Sequence, residues 1–385
     1  MSFKLQGICP HPIIQGPMAG GASTPDLVAA VSNAGGLGSL AGGMLSPVAI
    51  IEHAELIRQR TDRPFAINLF VQDTPTPSEQ EIASASELLK PIWSEFGWDK
   101  LPLPARWCED FEAQLQALII ARPAVASFTF GILQPSHLRC LHEAGIAVIG
   151  TATNVQEALA WQSLGADAVC LSGTEAGGHR GTFIGAQEDA TLTTMELLVQ
   201  AKPHLRIATI VAGNIMAGAD IAAALTAGAD AVQMGTAFLV THESGIHPAY
   251  KQKLLDVGKS TTVNMSVNTS VNTSPNKTAD ATRQTRAFSG RMARGLDNRF
   301  MQIMQDAAAQ VPAYPIQNAL TASIRAHAGK INDTGLMSLW GGQGVHRARG
   351  MPAAELMRVL LEELHAEMNT KMPAAMPARV KVGSS

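Results

Sequence analysis

The feature that most constrains this chain is a repeated unit: a helical pattern, a small residue and glycine, then a short apolar run. It occurs in "SNAGGLGSL" at Gly35, "HEAGIAVIGTA" at Gly145, "QSLGADAVCLSG" at Gly165 and "LTAGADAVQMGT" at Gly228. The pentapeptide GADAV stands twice, at 165–169 and 228–232. Glycine after a helix takes the left-handed conformation that ends it. The runs that follow lack polar alternation, so both faces of each strand must be covered, as in parallel sheets. Eight runs can be counted, at 13–20, 36–40, 65–70, 125–130, 146–152, 168–173, 207–213 and 231–236. Helical patterns separate most of them, for instance 154–164 and 217–226. Eight β/α units predict an α/β fold, a (β/α)8 TIM barrel, with an open doubly wound sheet as the alternative.

The 385 residues exceed the roughly 250 of a plain barrel. Residues 1–248 are read as the barrel, with an insertion at 72–108 after the third strand that carries five prolines and runs over the rim. Residues 249–280, which include "KSTTVNMSVNTSVNTSPNKTA", hold few large apolar side chains and are expected to be loose or disordered. Residues 281–345 are read as a smaller, mainly helical lobe over the carboxyl ends of the strands, and 346–385 as a C-terminal helix and tail.

A formal charge of −3 argues against a general polyanion binder, so no nucleic acid is expected. The four cysteines form no CxxC pair and suggest a reducing compartment. The first residues lack a secretory signal. The uncharged stretch between Asp26 and Glu52 is broken by six glycines and prolines, which suits a buried strand better than a bilayer span. A cytoplasmic protein is expected, without membrane partners, as a monomer or homodimer. "GLGSLA" at 36–41 matches a dinucleotide fingerprint, but a helix precedes it and its glycines lie within the strand. The histidine pairs in "HESGIH" and "HLRCLH" are five apart rather than four, so no metal site is expected.

In a β/α barrel the chemistry sits at the carboxyl ends of the strands. Those ends present 16–20, Asn68, the loop "SGTEAGGHRG" at 172–181, Gly213-Asn214 and Gln233-Met234-Gly235-Thr236. Four glycines around one acid and one histidine suggest a ligand lying against the main chain. Glycine-rich ends on the last two strands suit a phosphate, with Thr236 adding a hydroxyl donor. Flavin mononucleotide (FMN) fits such a site.

The motifs "PIIQGPMAG", "VSNAGGLGSL", "FAINLF", "EAGGHRG", "AGNIMAG", "GADAVQMGTAFLVTHES" and "AFSGRMARGLDNRF", in this order, resemble those of class I nitronate monooxygenases. "YPIQNALTASIR" and "LWGGQG" are similar to the family's closing segments. The resemblance implies an FMN barrel that oxidises alkyl nitronates with O2 to a carbonyl compound and nitrite, without a metal. It implies that His179 is the catalytic base or nitronate-orienting group. Met18, Asn68, Ser172, Gly177, Gly213, Gln233, Met234, Gly235 and Thr236 are then FMN contacts. Ser172 departs from the family's usual Gln and Asn214 from its usual Gly, which bears on flavin tuning more than on binding.

A neutral imidazole suits proton abstraction beside a nitro group; the competing reading is a histidine that only satisfies loop carbonyls. Glu175 is read as a brace of the loop. Among Arg283, Arg286, Arg291, Arg294 and Arg299, a solvated face competes with one or two arginines, Arg291 above all, holding an anionic substrate. Tyr314 either closes over the flavin or packs in the core. Two further functions stay open: an NADH-using FMN reductase of quinones or enoyl-acyl-carrier-protein thioesters, and a flavin-binding protein without turnover.

Overall fold

The computed structural model describes residues 7–267 and 281–371. Its strands are β1 (Ile13–Gln15), β2 (Gly38–Ala41), β3 (Phe65–Phe70), β4 (Val125–Thr129), β5 (Ala147–Ala152), β6 (Ala168–Ser172), β7 (Gly178–His179), β8 (Ala208–Ala212), β9 (Ala231–Met234), β10 (Thr282–Thr285) and β11 (Ala293–Leu296). Eight of these, one for each apolar run, form a single parallel sheet in the order β1-β9-β8-β6-β5-β4-β3-β2. A bridge between Ile14 and Leu37 joins its two ends. There Gln15 N–H donates to Leu37 O at 2.9 Å and Leu37 N–H to Ile13 O at 3.0 Å. The closed barrel is the one expected; the open sheet is not formed.

Covered strands explain the uninterrupted apolar runs. Inside the barrel, small residues such as Ala66, Ala168, Cys170 and Ala231 alternate with the larger Val125, Ile149 and Ile210, with Cys9 among them. Outward, Ile67, Phe128, Val169, Leu171 and Val211 pack under the helices. Cys9 and Cys170 are buried free thiols whose pKa burial raises to about 11 and about 12, so both stay protonated. Cys108 and Cys140 are also free but less enclosed.

Each GADAV copy makes the same two-bond staple. Asp167 N–H donates to Val148 O at 3.0 Å while its carboxylate accepts Val148 N–H at 2.8 Å. Asp230 repeats this on Thr209, at 2.7 and 2.8 Å. The glycines ahead of them, Gly165 and Gly228, have φ of 102° and 101°, a conformation that favours glycine. The duplicated sequence thus sets the register of β5 against β6 and of β8 against β9.

The last barrel helix comes from beyond the lobe. Helix Ala353–Lys371 sends Ala353, Leu356, Met357, Leu360 and Leu364 into the core shared with helices Pro25–Asn33 and Gly218–Thr226. A second core joins Leu89, Ile92 and Trp93 of helix Glu79–Trp93 to Phe288, Phe300, Leu320 and Leu336. The insertion after β3 and the lobe are therefore packed as one body.

The lobe carries helices Arg299–Ile303, Ile316–Leu320 and Ala322–Lys330 and adds a small sheet at its base: β10 and β11 form an antiparallel hairpin, and β7 adds to β11 as a third strand. One expectation changes. The segment expected to be loose begins as helix Pro248–Val267, anchored by buried Tyr250 and Leu254 in the second core. Two apolar anchors suffice to hold its first turns; the remainder of that segment, 268–280, lies outside the described residues. No helix among the described residues is long and apolar enough to cross a membrane.

Candidate active site

The carboxyl ends of the barrel strands and the lobe enclose a cavity of about 420 Å³. The strand-end residues expected to hold a ligand, from Met18 and Asn68 to Thr236, all line it. Asn68 is 2 % exposed and fixed by its own amide. Its Nδ2 donates to Ser127 O at 3.1 Å and Ser127 Oγ at 3.0 Å, leaving Oδ1 toward the cavity. The side chains of Ser172 and Gln233 also line the cavity and make no hydrogen bond to the described residues. Met234 packs its side chain in the barrel core and offers the cavity its backbone.

The bareness of the 172–181 loop is in larger part a packing requirement. A Cβ on Gly173 would sit 2.2 Å from Thr194 N, and one on Gly177 would sit 2.5 Å from Gly342 N. Glu175 is the brace: its Oε2 accepts from Thr194 N–H at 2.7 Å and from Thr194 Oγ1 at 3.0 Å. Arg180, 1 % exposed, donates to Ser172 O, Gly173 O and Ala190 O and holds the loop from below. Gly235 is different. A Cβ there would meet nothing nearer than Met18 at 3.9 Å, so its missing side chain opens the cavity itself.

Asn214, where the resemblance leads one to expect a glycine, takes the left-handed conformation, at φ 56°. Asparagine tolerates this region better than most side chains. Its Oδ1 and its carbonyl both accept from Arg347 Nη2 at 2.9 Å, which anchors the turn. Thr236 Oγ1 accepts Gly342 N–H at 3.0 Å, which leaves its own hydrogen to donate.

His179 lies on β7, paired with Ala293 of β11, so the lobe hairpin holds the histidine. Its Nε2 is 2.8 Å from Ser289 Oγ. Ser289 Oγ also donates to Arg291 O at 3.1 Å and accepts from Arg291 N–H at 3.4 Å, so its hydroxyl ties the imidazole to the backbone of Arg291. Around the ring stand Phe130, Tyr314 and Trp340, with centroids 5.8, 5.6 and 5.2 Å away. Phe130 has φ of 80°, a strained conformation for a bulky residue, and stacks on Phe70 at 4.4 Å. Burial first, then the charges of Arg291 and Arg325, lower the His179 pKa to about 3. Its exposed edge looks into the cavity rather than bulk water, so it is neutral near pH 7.

The arginine cluster is a set of clamps. Arg291 does not line the cavity: its Nε donates to Arg180 O at 2.8 Å, its Nη2 to Thr182 O, and the guanidinium lies 4.2 Å over Phe130. Arg294 donates to Thr174 O at 3.0 Å. Arg283, Arg286 and Arg299 pair with Asp297, Glu188, and with Glu95 and Asp333. Tyr314 does line the cavity. Sequence reasoning missed Ser289, Trp340 and Arg325. Arg325 is the lobe's cation on the cavity wall, and its one advance sign is an acid-free stretch from 307 to 332.

A family model described as nitronate monooxygenase matches residues 2–275 and 267–363. A probable nitronate monooxygenase of Staphylococcus aureus (strain MRSA252) is 34% identical over 94% of this chain and 96% of its own length. Among solved structures, nitroalkane oxidase from Streptomyces ansochromogenes is 38% identical, with a TM-score of 0.83 over 95% of this chain and 99% of that one. FabK from Thermotoga maritima is 27% identical, with a TM-score of 0.70 over 95% and 97%. With most of its length matched in this way, the chain belongs to the nitronate monooxygenase family, a family of flavin-dependent oxidoreductases.

Proposed function

We propose that this protein oxidises alkyl nitronates, including the propionate 3-nitronate class, with O2 to carbonyl compounds and nitrite, using bound FMN. The observation that carries the reading is His179: a neutral imidazole on the cavity wall, tied at Nε2 to Ser289 among aromatic rings and within the field of two guanidinium groups. The cavity fits a flavin at its barrel end. Gly235 leaves a bare cradle beside Met18, and Thr236 and the Gly213–Asn214 turn suit a phosphate. Asn68, Ser172 and Gln233 offer unpaired polar atoms to the ring and chain. Bound there, the flavin supplies the electron acceptor that the protein's own side chains lack.

The chain's residues bind and orient the substrate. The positive field of Arg291 and Arg325 favours an anion, and Phe130, Tyr314 and Trp340 exclude water from its alkyl part. A histidine held near pKa 3 is a weak base. It therefore suits an already ionised nitronate better than abstraction from a neutral nitroalkane. The test is anaerobic: a nitronate added to the purified protein is expected to bleach its yellow absorbance, and NADH is not. Bleaching by NADH alone would move the activity to the reductase side. His179→Asn is expected to keep the flavin and lose most turnover; near-normal activity would sink the assignment.

A further inference from the structure

Beneath the insertion after β3 lies a second cavity of about 180 Å³, lined by Gln72, Arg106, Trp107, Cys108 and Glu109 on one side, where Arg106 Nη1 pairs with Glu109 Oε2 at 2.8 Å and takes up that acid's charge. Met44, Tyr314, Asn318 and Arg325 also line the larger cavity, so these four stand between the two. Arg325 stands on helix Ala322–Lys330. Its Nη2 donates to Asn318 O at 2.7 Å and Asn318 Oδ1 at 3.0 Å, and its Nε to Thr321 O at 3.4 Å. Nη1 is left without a hydrogen-bond partner, and no carboxylate pairs with the guanidinium, among the described residues. Burial lowers its pKa to about 10, which still leaves it charged.

The other arginines at the mouth are spent on loop carbonyls or on acids. Arg325 is held by neutral oxygens with one edge free. A cation taken out of water without an anion is costly, and that cost falls when a bound anion supplies the pair. The second cavity holds another unmet group, for Gln72 Oε1 is buried and has no partner. A carboxamide turned about its last bond offers either an acceptor or a donor. A free guanidinium edge and an unmet amide on one small cavity describe a seat for a carboxylate.

We propose that the second cavity is a subsite for the substrate's tail, in which Arg325, with Gln72, binds a carboxylate at the end of the chain. This rests on the nitronate reading and adds to it a substrate class: ω-carboxylated nitronates whose chain carries past Tyr314. That ring's centroid stands 5.6 Å from that of His179, so the shortest chains do not reach the subsite. Arg325 is thereby the residue that determines specificity.

The experiment uses the flavin-loaded protein and straight-chain alkanoates against alkanamides of equal length, with binding read by calorimetry. These probes carry no nitro group, so the result does not depend on turnover. At the preferred length the alkanoate is expected to bind about 10- to 100-fold tighter than the amide. Arg325→Gln should bring the two to near parity, and Arg325→Lys should restore part of the preference as a point charge. Ala322→Phe, which fills the second cavity from outside the catalytic wall, should weaken long alkanoates and leave the shortest unchanged. A wild type indifferent to the carboxylate at every length overturns the proposal, as does a preference that survives Arg325→Gln. Should that variant not fold, the wild-type comparison and Ala322→Phe decide. The preference without any nitronate turnover would sink the reaction and leave the subsite standing.

Discussion

Replacing Ser289 by alanine isolates the contact that sets the histidine. Ser289 is 1 % exposed, and its hydroxyl joins His179 Nε2 at 2.8 Å to Arg291 O at 3.1 Å. The substitution removes no atom that lines the cavity, so its effect must pass through His179. Two buried partners lose their mate, which makes the cost about 1–2 kcal/mol rather than the bare average. If that energy holds the imidazole in its working tautomer and orientation, the chemical step slows by about 5- to 30-fold. KM should stay near the wild-type value, because substrate contacts are intact. The assay is anaerobic stopped-flow bleaching of the flavin by a saturating nitronate, with the visible spectrum confirming that the flavin is retained. Ser289→Thr, which keeps a hydroxyl, should recover much of the rate. A bleaching rate within about twofold of wild type in Ser289→Ala, with lowered stability alone, would refute the positioning role.

Other outcomes follow from the same geometry. His179 is held near pKa 3 against an ordinary 6.5, so turnover of a preformed nitronate should show no inflection between roughly pH 5.5 and 8; a titration near 6.5 would contradict the buried, positively flanked ring. The unfolded chain takes up a proton below about pH 6.5 that the folded one refuses until about 3. Stability is therefore whole above 6.5 and falls toward pH 3 by up to about 1.4 kcal/mol per pH unit, a slope that denaturant titrations should find missing in His179→Asn. Gly177→Ala drives a Cβ to 2.5 Å from Gly342 N, backbone against backbone, and is expected to cost the soluble flavin-loaded protein; a normal yield would show that the two glycine segments can part.

The barrel was legible because its grammar is local. Each unit announces itself by a glycine at a helix end and a run of apolar residues, and all eight runs became strands. The lobe hairpin was not. β10 and β11 are four residues each and rich in arginine, and in isolation "TRQT" and "ARGL" look like a solvated face. The outer partner of β11 is β7, more than a hundred residues earlier, and long-range pairing leaves no mark on local periodicity. The site divides in the same way. That His179, Asn68 and the strand-end glycines would share one cavity could be read in advance because a barrel fixes where strand ends go. Arg291 was chosen for its charge, but carbonyls of the 180–182 segment take up that charge. Arg325 went unremarked because its meaning is relational: it is distinguished by standing on the cavity wall with Nη1 unpaired among the described residues, which only the folded neighbourhood reveals.

The lobe interrupts the barrel, and this has a consequence for synthesis. Helices Pro25–Asn33 and Gly218–Thr226 share a core with residues Ala353–Leu364, which leave the ribosome only after the whole lobe has been made. Until then the seam between the first and last β/α units is bare of its cover. The nascent barrel must wait, with an apolar flank exposed, while β11 and the wall bearing Arg325 are produced. The cavity and its scaffold are therefore completed together, and the C-terminal helix seals the seam after the lobe that roofs the cavity has emerged.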